Sequence, residues 1–258
     1  KEAMDAKEKE LRRILKERQV EAFLELRNHS QIEREYEAMH KKGILFRTMM
    51  EDGYPGRLRE IPDPPQGIFY LGGLPEDEVL SVAVIGARDC SEYGKYVAVA
   101  LGRALAEHGI TVISGMARGI DGISQRAAVQ NGGRSYAVLG SGVDICYPSG
   151  NRELYEKLKT SGGIISIYPP GTVAKARNFP PRNRIVSGLA DVVVVIEGRI
   201  NSGTLITVDM ALEQGKEVYA VPGRVTDRLS DGCNRLIRQG AGVFLSPESF
   251  IEDVFEEF

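Results

Sequence analysis

The sequence predicts an α/β protein with a Rossmann-like, doubly wound and mostly parallel sheet, preceded by a small N-terminal helical domain. From Ser81 onward, short apolar runs alternate with longer stretches whose apolar residues recur at helical spacing. This alternation is typical of βαβ units. The apolar runs are also nearly continuous, which is expected when helices cover both faces of a sheet.

Seven apolar runs are the predicted strands of this sheet. They are Val82–Ile85, Thr111–Ser114, Tyr136–Leu139, Ile164–Ile167, Val192–Ile196, Val218–Val221 and Val243–Leu245. Five stretches between them have helical periodicity. These predicted helices are Tyr93–Glu107, Ile120–Gln130, Arg152–Lys159, Thr204–Gln214 and Cys233–Gln239.

The beginning of the chain has a different character. Apolar residues at helical spacing stand among charges of both signs, and a second helical stretch covers Gln31–Lys42. A short strand at Ile44–Thr48 and a proline-punctuated linker follow. We therefore assign residues 1–66 to a small helical region with its linker, and residues 67–258 to an extended Rossmann-like domain. Because the first residue is Lys rather than Met, we expect the helical region to be incomplete at its start.

Composition excludes several classes of protein. The 258 residues are 42% hydrophobic and 27% charged, as in ordinary globular proteins. No apolar run is long enough for a membrane span, and no signal peptide precedes the domain, so we expect a cytoplasmic protein. Cys90, Cys146 and Cys233 are far apart, which argues against a disulfide framework or a zinc site. The net charge of −3 still permits a local basic surface.

The turns after four of the predicted strands combine glycine with Ser, Thr or Arg. They are Gly86-Ala87-Arg88, Ser114-Gly115 with Arg118, Gly140-Ser141-Gly142, and Ser202-Gly203-Thr204. Ligands of open parallel sheets bind at this edge, where glycine admits a close backbone approach and helix starts attract anions. One such turn could be purely steric, but four of them favour phosphate binding. The first turn lacks a three-glycine fingerprint and there is no Walker motif, so NAD and ATP are disfavoured and no cofactor is expected.

The segment Gly171–Leu189 is basic and contains no acidic residue. Its cations are Lys175, Arg177, Arg182 and Arg184. Phe179 is the one aromatic residue of the segment and lies between Asn178 and two prolines. Basic residues follow a phosphate backbone, and an exposed ring offers a face for a base. The alternative is a solvated loop whose Phe179 is buried under the edge of the sheet.

Taken together, these motifs resemble the DNA-processing protein A family (DprA, also called Smf). The resemblance covers most of the chain, from Tyr54 to Ser246. The segments that carry it include Gly86-Ala87-Arg88, Arg118-Gly119-Ile120-Asp121, Tyr147-Pro148, Phe179-Pro180, Arg182-Asn183-Arg184-Ile185, Ser202-Gly203-Thr204-Leu205-Ile206-Thr207 and Asp231-Gly232-Cys233-Asn234. The resemblance implies a protein that binds and protects incoming single-stranded DNA and loads the RecA recombinase onto it during natural transformation.

The resemblance also implies which residues contact DNA and how the domains are arranged. The expected contacts are Arg88, Ser114, Gly115, Arg118, Lys175, Arg177, Asn178, Phe179, Arg182, Asn183, Arg184, Ser202, Gly203 and Thr204. Several relatives carry a lysine at the position of Ala176, so the sequence leaves open which neighbouring cation contacts phosphate. The helical region would correspond to a SAM-like or helix-hairpin-helix domain. Many members continue into a winged-helix-like domain, and we expect none here because the sequence ends at Phe258.

The rival hypothesis is an enzyme, a nucleoside-monophosphate phosphoribohydrolase of the lysine-decarboxylase-like (LOG) group. The Ser202-Gly203-Thr204 turn is similar to the phosphate grip of that group. Thr207 stands where its catalytic glutamate would be, and a hydroxyl cannot act as a carboxylate base. We therefore expect no catalytic residue and no metal. We expect Asp121 to cap a helix or brace a loop, and Glu197 to pair with Arg184 or Arg199.

The closing βα units suggest a homodimer, which the resemblance also implies. Apolar residues lie on the last predicted helices, where a terminal unit has few neighbours to cover them. They are Leu205, Ile206, Met210, Leu212, Leu236 and Ile237. The alternative is that all of them face the sheet.

Overall fold

The computed structural model describes residues 6–26 and 29–257. Residues 1–5, 27, 28 and 258 lie outside the described part, together with the share of the domain predictions that falls on them. The contacts divide the chain after Leu45 into a smaller and a larger compact unit. No helix in the described part is both long and apolar enough to cross a membrane.

The smaller unit is helical, as predicted. Its helices are α1 (Glu8–Ile14), α2 (Glu17–Leu26) and α3 (His29–Lys41). Leu11 of α1 and Val20 of α2 are buried, so the two short helices have an apolar inner side. The backbone N–H of Lys7 donates to the Glu10 carboxylate at 2.8 Å, which satisfies one of the amides left free at the start of α1.

The larger unit is built on one mixed sheet. The described strands are β1 (Leu45–Thr48), β2 (Gly67–Gly72), β3 (Ser81–Ile85), β4 (Thr111–Ser114), β5 (Ser135–Val138), β6 (Gly162–Ser166), β7 (Val192–Val195), β8 (Glu217–Ala220) and β9 (Gly242–Val243). The seven predicted strands of the sheet and the short strand predicted at Ile44–Thr48 are all present, with ends shifted by at most two residues. β2 was not predicted.

The strand order is β1-β2-β6-β5-β4-β3-β7-β8-β9. In this order, each strand from β6 to β9 is parallel to its neighbours in that series. β2 is antiparallel to β6, with Phe69 opposite Ser166. The sheet is therefore mostly parallel and Rossmann-like, which confirms the predicted fold class.

Helices cover both faces of this sheet. They are α4 (Gly56–Glu60), α5 (Glu92–Glu107), α6 (Ile120–Gln130), α7 (Arg152–Leu158), α8 (Phe179–Gly188), α9 (Gly203–Glu213), α10 (Asp231–Arg238) and α11 (Pro247–Glu257). Side chains of α5, α6 and α11 pack on one face, and those of α4, α8, α9 and α10 pack on the other. Successive side chains of a strand point to opposite faces of the sheet. Because helices cover both faces, every position of these strands is apolar or nearly so.

Helix α8 is the main departure from the sequence prediction, which assigned no helix to the basic segment. Two prolines occupy its first turn, where a missing N–H costs no hydrogen bond. Ile185 and Val186 are buried against the sheet. The alternative of a solvated loop is therefore wrong.

The residues directly after Leu45 pack into the larger unit. Tyr54, Leu58 and Ile61 join the same apolar core as α8, and the Tyr54 hydroxyl donates to the Pro65 carbonyl at 2.7 Å. The Arg57 Nε lies 2.7 Å from the Asp191 carboxylate. The compact unit thus begins before the boundary that the proline-rich segment suggested, because that segment is packed and not a free linker.

Candidate nucleic-acid interface

The glycine-bearing turns meet at one edge of the sheet. β5, β4, β3 and β7 are consecutive neighbours and parallel, so their carboxyl ends lie side by side. The turns after β3, β4 and β7 line a cleft of about 750 Å³ together with the starts of α8 and α9. This volume is within the range of ligand-binding pockets. Three of the four predicted turns therefore meet at this cleft, and the Gly140-Ser141-Gly142 turn does not line it.

Phe179 stands in the wall of the cleft and is partly exposed. The guanidinium carbons of Arg88 and Arg182 lie 5.5 and 5.6 Å from its ring centroid. Both distances are within the range of cation–π attraction. The Tyr147 ring lies 5.9 Å away, centroid to centroid. Phe179 is therefore not buried under the sheet edge, and it lies among cations and a second aromatic ring.

Arg182 is a buried cation behind this ring, with only 5% of its surface exposed. Its Nη1 donates to the Gly115 carbonyl at 2.7 Å and also to the Val138 carbonyl. Its Nε has no hydrogen-bond partner among residues 6–26 and 29–257. Burial lowers the pKa of Arg182 to about 10, so the side chain remains charged at neutral pH. A buried charge of this kind needs a counter-charge.

Asp121 is the nearby counter-charge. Its carboxylate accepts the backbone N–H of Gly115 at 3.1 Å, which confirms the expected bracing role. Burial raises the pKa of Asp121, and the charge of Arg182 opposes that shift. A side chain at Gly115 would collide with both groups, since a Cβ would lie 2.4 Å from Arg182 Nη1 and 2.8 Å from Asp121 Oδ2. Glycine at this turn is a steric requirement of the Arg182–Asp121 pair.

Exposed cations lie in the cleft wall, at Arg88 and Arg199, and next to its lining residues Ala174 and Ala176, at Lys175 and Arg177. Arg88, Lys175, Arg177 and Arg199 are exposed and have no ion pair within the described part of the chain. Arg118 is exposed as well, and its guanidinium lies 2.9 Å from the Asp89 carboxylate. An exposed pair of this kind contributes little stability, so Arg118 can exchange Asp89 for phosphate at small cost. Lys175 and Arg177 are both exposed, so either of the two cations next to Ala176 is accessible to a phosphate.

The start of α9 forms another side of the cleft. Ser202, Gly203 and Thr204 line it, with Ser202 in the extended N-cap conformation. The Ser202 hydroxyl oxygen is buried and has no partner in the described structure. Free amides and the helix dipole make such a start attractive to an anion. Asn183 also lines the cleft, and its Nδ2 donates to the Gly203 carbonyl at 3.5 Å.

Six expected contact residues do not line the cleft: Ser114, Arg118, Lys175, Arg177, Asn178 and Arg184. Arg118, Lys175 and Arg177 are exposed, and the other three have hydrogen-bond or charge partners in the framework. Ser114 is buried, and its hydroxyl donates to the Val84 carbonyl at 2.6 Å. Asn178 is buried, and its Nδ2 donates to the Gly140 carbonyl at 3.0 Å. Arg184 turns toward the segment before β2, where its guanidinium lies 3.7 Å from the carboxylate of Asp63. These three side chains support the framework of the site.

Glu197 does not pair with an arginine, so that prediction is wrong. It is buried, and its carboxylate accepts the Ser91 N–H at 2.9 Å and the Ser91 hydroxyl at the start of α5. The carboxylate therefore satisfies a helix N-terminus and joins β7 to the turn that carries Arg88.

Two cleft residues, Arg199 and Tyr147, were not among the DNA contacts predicted from the sequence. Arg199 belongs to the same strand-end turn as Ser202, so its place in that turn was a usable signal. Tyr147 lies on a loop after β5, and only the fold brings its ring beside Phe179. Its proline-linked motif was visible in the sequence, but the neighbour that gives it a role was not.

Comparison with known proteins identifies the family of this chain. Residues 45–255 match the family model described as DNA recombination-mediator protein A. The chain belongs to this family. The DNA processing protein DprA of Streptococcus pneumoniae is 40% identical over 211 residues, which are 82% of this chain and 73% of that protein. The chain spans about half the length of the Smf proteins of Escherichia coli and Synechocystis.

Solved structures show the same relationship within the family. The X-ray structure of DNA processing protein A from S. pneumoniae superposes with a TM-score of 0.82 at 36% identity, covering 93% of this chain and 82% of that chain. DNA processing protein A from Helicobacter pylori, described for its single-stranded DNA binding mode, has a TM-score of 0.74 at 28% identity, covering 83% and 97%. A molybdenum cofactor binding protein from Rippkaea orientalis shares the fold alone, at a TM-score of 0.51 and 19% identity over 70% of this chain and 98% of that chain.

The burial of Arg182 and Asp121 predicts a pH-dependent cost for Arg182→Met. Without the guanidinium, the folded-state pKa of Asp121 rises further above its unfolded value, because the attraction that opposed burial is gone. A carboxyl group with a raised folded-state pKa favours folding at low pH, and this contribution is lost as the pH rises through that pKa. We expect Arg182→Met to lower the free energy of unfolding by about 3 kcal/mol at neutral pH and by less at mildly acidic pH.

Urea unfolding of wild type and variant at the two pH values measures this difference. Arg103→Met is the matched control, because Arg103 is exposed on α5 and pairs only with Glu107 four residues away. We expect no resolvable effect of that substitution at either pH. A destabilisation by Arg182→Met that is equal at both pH values would show that Asp121 does not depend on Arg182.

Proposed function

We propose that this chain binds single-stranded DNA in the cleft and performs no catalysis there. The observation that carries the proposal is the convergence of exposed cations on a partly exposed aromatic ring. Arg88 and Arg199 line the cleft with Phe179, and the exposed Lys175 and Arg177 are sequence neighbours of Ala174 and Ala176, which line it too. This combination is typical of sites that bind single strands without sequence preference. The established membership of the family and the DNA-binding relative support it.

The shape of the site favours a single strand over a duplex. The glycine turns and the starts of α8 and α9 form a concave surface, whereas readers of duplex DNA insert a projecting helix or ribbon into the major groove. A flexible strand can turn its phosphates toward the rim and its bases toward Phe179 at the same time. A duplex keeps its bases stacked inside and presents only phosphates.

We expect a single strand to bind more tightly than a duplex of the same length and sequence. The affinity should fall with salt because contacted phosphates regain counterions. Four exposed cations give an expected slope of log K against log salt of about −3, from roughly −0.7 per ion pair. Fluorescence polarisation with labelled oligonucleotides over a salt series measures both quantities. Equal or tighter binding of the duplex would contradict the proposal.

Arg88 provides the variant that ties this binding to the cleft. Arg88→Glu replaces attraction by repulsion next to Phe179, whereas Arg88→Lys keeps the charge and loses only the planar guanidinium. We expect the Glu variant to bind at least tenfold more weakly than the Lys variant. If Arg88→Glu folds normally and binds like wild type, the strand binds elsewhere.

The absence of catalysis rests on Thr207. Thr207 is 4% exposed, and its hydroxyl lies 3.5 Å from the Gly203 carbonyl of its own helix. A buried hydroxyl in this position supplies no carboxylate for cleavage of a nucleoside monophosphate. We expect no release of adenine from AMP, as measured by chromatography after long incubation. Turnover that disappears in a Thr204→Ala variant would favour the phosphoribohydrolase alternative.

We also propose that the chain forms a homodimer through its Rossmann-like domain and delivers its strand to RecA during natural transformation. Family membership motivates both proposals. In addition, Ile206 and Leu212 of α9 are 42% and 58% exposed, so the closing helices do not direct all their apolar residues to the sheet. Light scattering should give about twice the chain mass of 28.3 kDa, and a heavier complex when RecA is added. A monomer at tens of micromolar would contradict the dimer, and an unchanged mass with RecA would contradict the delivery.

A further inference from the structure

The loop that joins β8 to α10 carries a second group of cations. This β8–α10 loop comprises residues 222–230. Arg224 and Arg228 are both exposed, and neither side chain has an ion-pair partner in the part of the chain that the structure describes. The one acid of the loop is Asp227, and its carboxylate accepts the backbone N–H of Leu229 at 2.9 Å. The loop therefore presents two unpaired positive charges, and neither of them lines the cleft.

The order of the strands places this loop beside the cleft. β8 is the neighbour of β7 and runs parallel to it, so the carboxyl ends of the two strands lie side by side. The neighbouring strands β4, β3 and β7 are followed by the exposed cations Arg118, Arg88 and Arg199. The β8–α10 loop continues this series by one strand. Four adjacent strand ends thus supply exposed cations along one edge of the sheet.

Hydrogen bonds fix the loop to the turn that carries Arg199. Leu229 itself lines the cleft, and its carbonyl accepts the Gly198 N–H at 2.8 Å. At the start of the loop, the Asn234 side chain accepts the Gly223 N–H at 3.2 Å and donates to the Gly223 carbonyl at 3.0 Å. The loop is therefore held at both ends before any ligand binds, and a ligand does not have to supply the free energy of ordering it.

The cleft is too small for more than a short piece of a strand. Its volume of about 750 Å³ is that of a pocket for one drug-sized ligand. Sites that bind single strands without sequence preference follow the backbone over about 4–16 nucleotides. A longer strand therefore has to leave the cleft, and the way out past Arg199 and Leu229 leads onto the β8–α10 loop. At the loop tip, Val225 is 89% exposed and adds an apolar group beside the two cations.

We infer that a strand longer than the cleft continues onto the β8–α10 loop, where Arg224 and Arg228 pair with its phosphates. The inference rests on the proposed function, since it extends the path of the same strand. It divides the site into two parts. The cleft holds a short piece of the strand beside an aromatic ring, and the loop holds the backbone of the adjoining piece. Because the loop contains no aromatic residue, it offers no ring on which a base can stack.

The test is the affinity of a double variant, Arg224→Glu with Arg228→Glu, for oligothymidylates of about 4 to about 16 nucleotides. Wild type should bind more tightly as the length increases. The variant should bind the shortest strand that wild type binds within about twofold of wild type, since salt screens charges beyond about 8 Å. It should bind the longest strand about tenfold more weakly, with a slope of log K against log salt that is less steep by about 1.4 for two lost ion pairs.

Two further double variants serve as controls. Arg224→Lys with Arg228→Lys keeps both charges and should bind every length nearly as wild type does, because a point charge suffices for a phosphate. Arg103→Glu with Arg134→Glu changes the net charge by the same amount as the loop variant. Both of these arginines are exposed, and Arg134 directly precedes β5, at the opposite edge of the sheet. This control should weaken binding at no length.

Three results would overturn the inference and leave the proposed function standing. The first is an equal loss of affinity at every length in the loop variant, because the loop would then act on the cleft and not on the strand beyond it. The second is wild-type affinity of the loop variant at every length while Arg88→Glu weakens them all. The third is a lower mass of the loop variant in light scattering, which would assign the loop to self-association. If wild type binds none of the strands, the proposed function and the inference fail together.

Discussion

The site depends on one buried guanidinium. Arg182 extends from α8 and donates to carbonyls at the ends of two neighbouring strands, Gly115 after β4 and Val138 of β5. Asp121 holds the same turn from the other side through the Gly115 N–H. Since Arg182 follows Phe179 by three residues on one helix, these bonds also orient the Phe179 ring. Burying the charge is costly, and two effects offset that cost: the hydrogen bonds to the Gly115 and Val138 carbonyls and the charge of the nearby Asp121.

The charges of the cleft thus form two layers with different roles. The inner layer, Arg182 with Asp121, is buried. The outer layer is a rim of exposed cations that includes Arg88 and Arg199. Only the outer layer can exchange water and counterions for phosphates. This explains how a chain with a net charge of −3 has a locally positive edge.

The parts of the fold that were predictable are those with local signals. The bounds of β4 and α6 agree with the predicted Thr111–Ser114 and Ile120–Gln130, because a continuous apolar run and a glycine-flanked helical period are properties of neighbours in sequence. α8 lacked such a signal, whereas β2 has one in the apolar run Ile68–Leu71, which was not assigned as a strand. β2 becomes a strand by pairing with β6, and α8 has a buried arginine on the side where a surface helix usually has an apolar residue.

The sequence by itself determined the kind of site: glycines at strand ends, a surplus of cations and an aromatic residue, all at one edge of a parallel sheet. Tertiary structure decided which of these side chains are exposed and which are buried or paired. Within one basic segment, Arg177 is exposed, Arg182 is buried and Arg184 pairs with Asp63. The physical reason is that exposure and charge partners depend on residues distant in the chain. Only packing brings Asp121 beside Arg182 and Tyr147 beside Phe179.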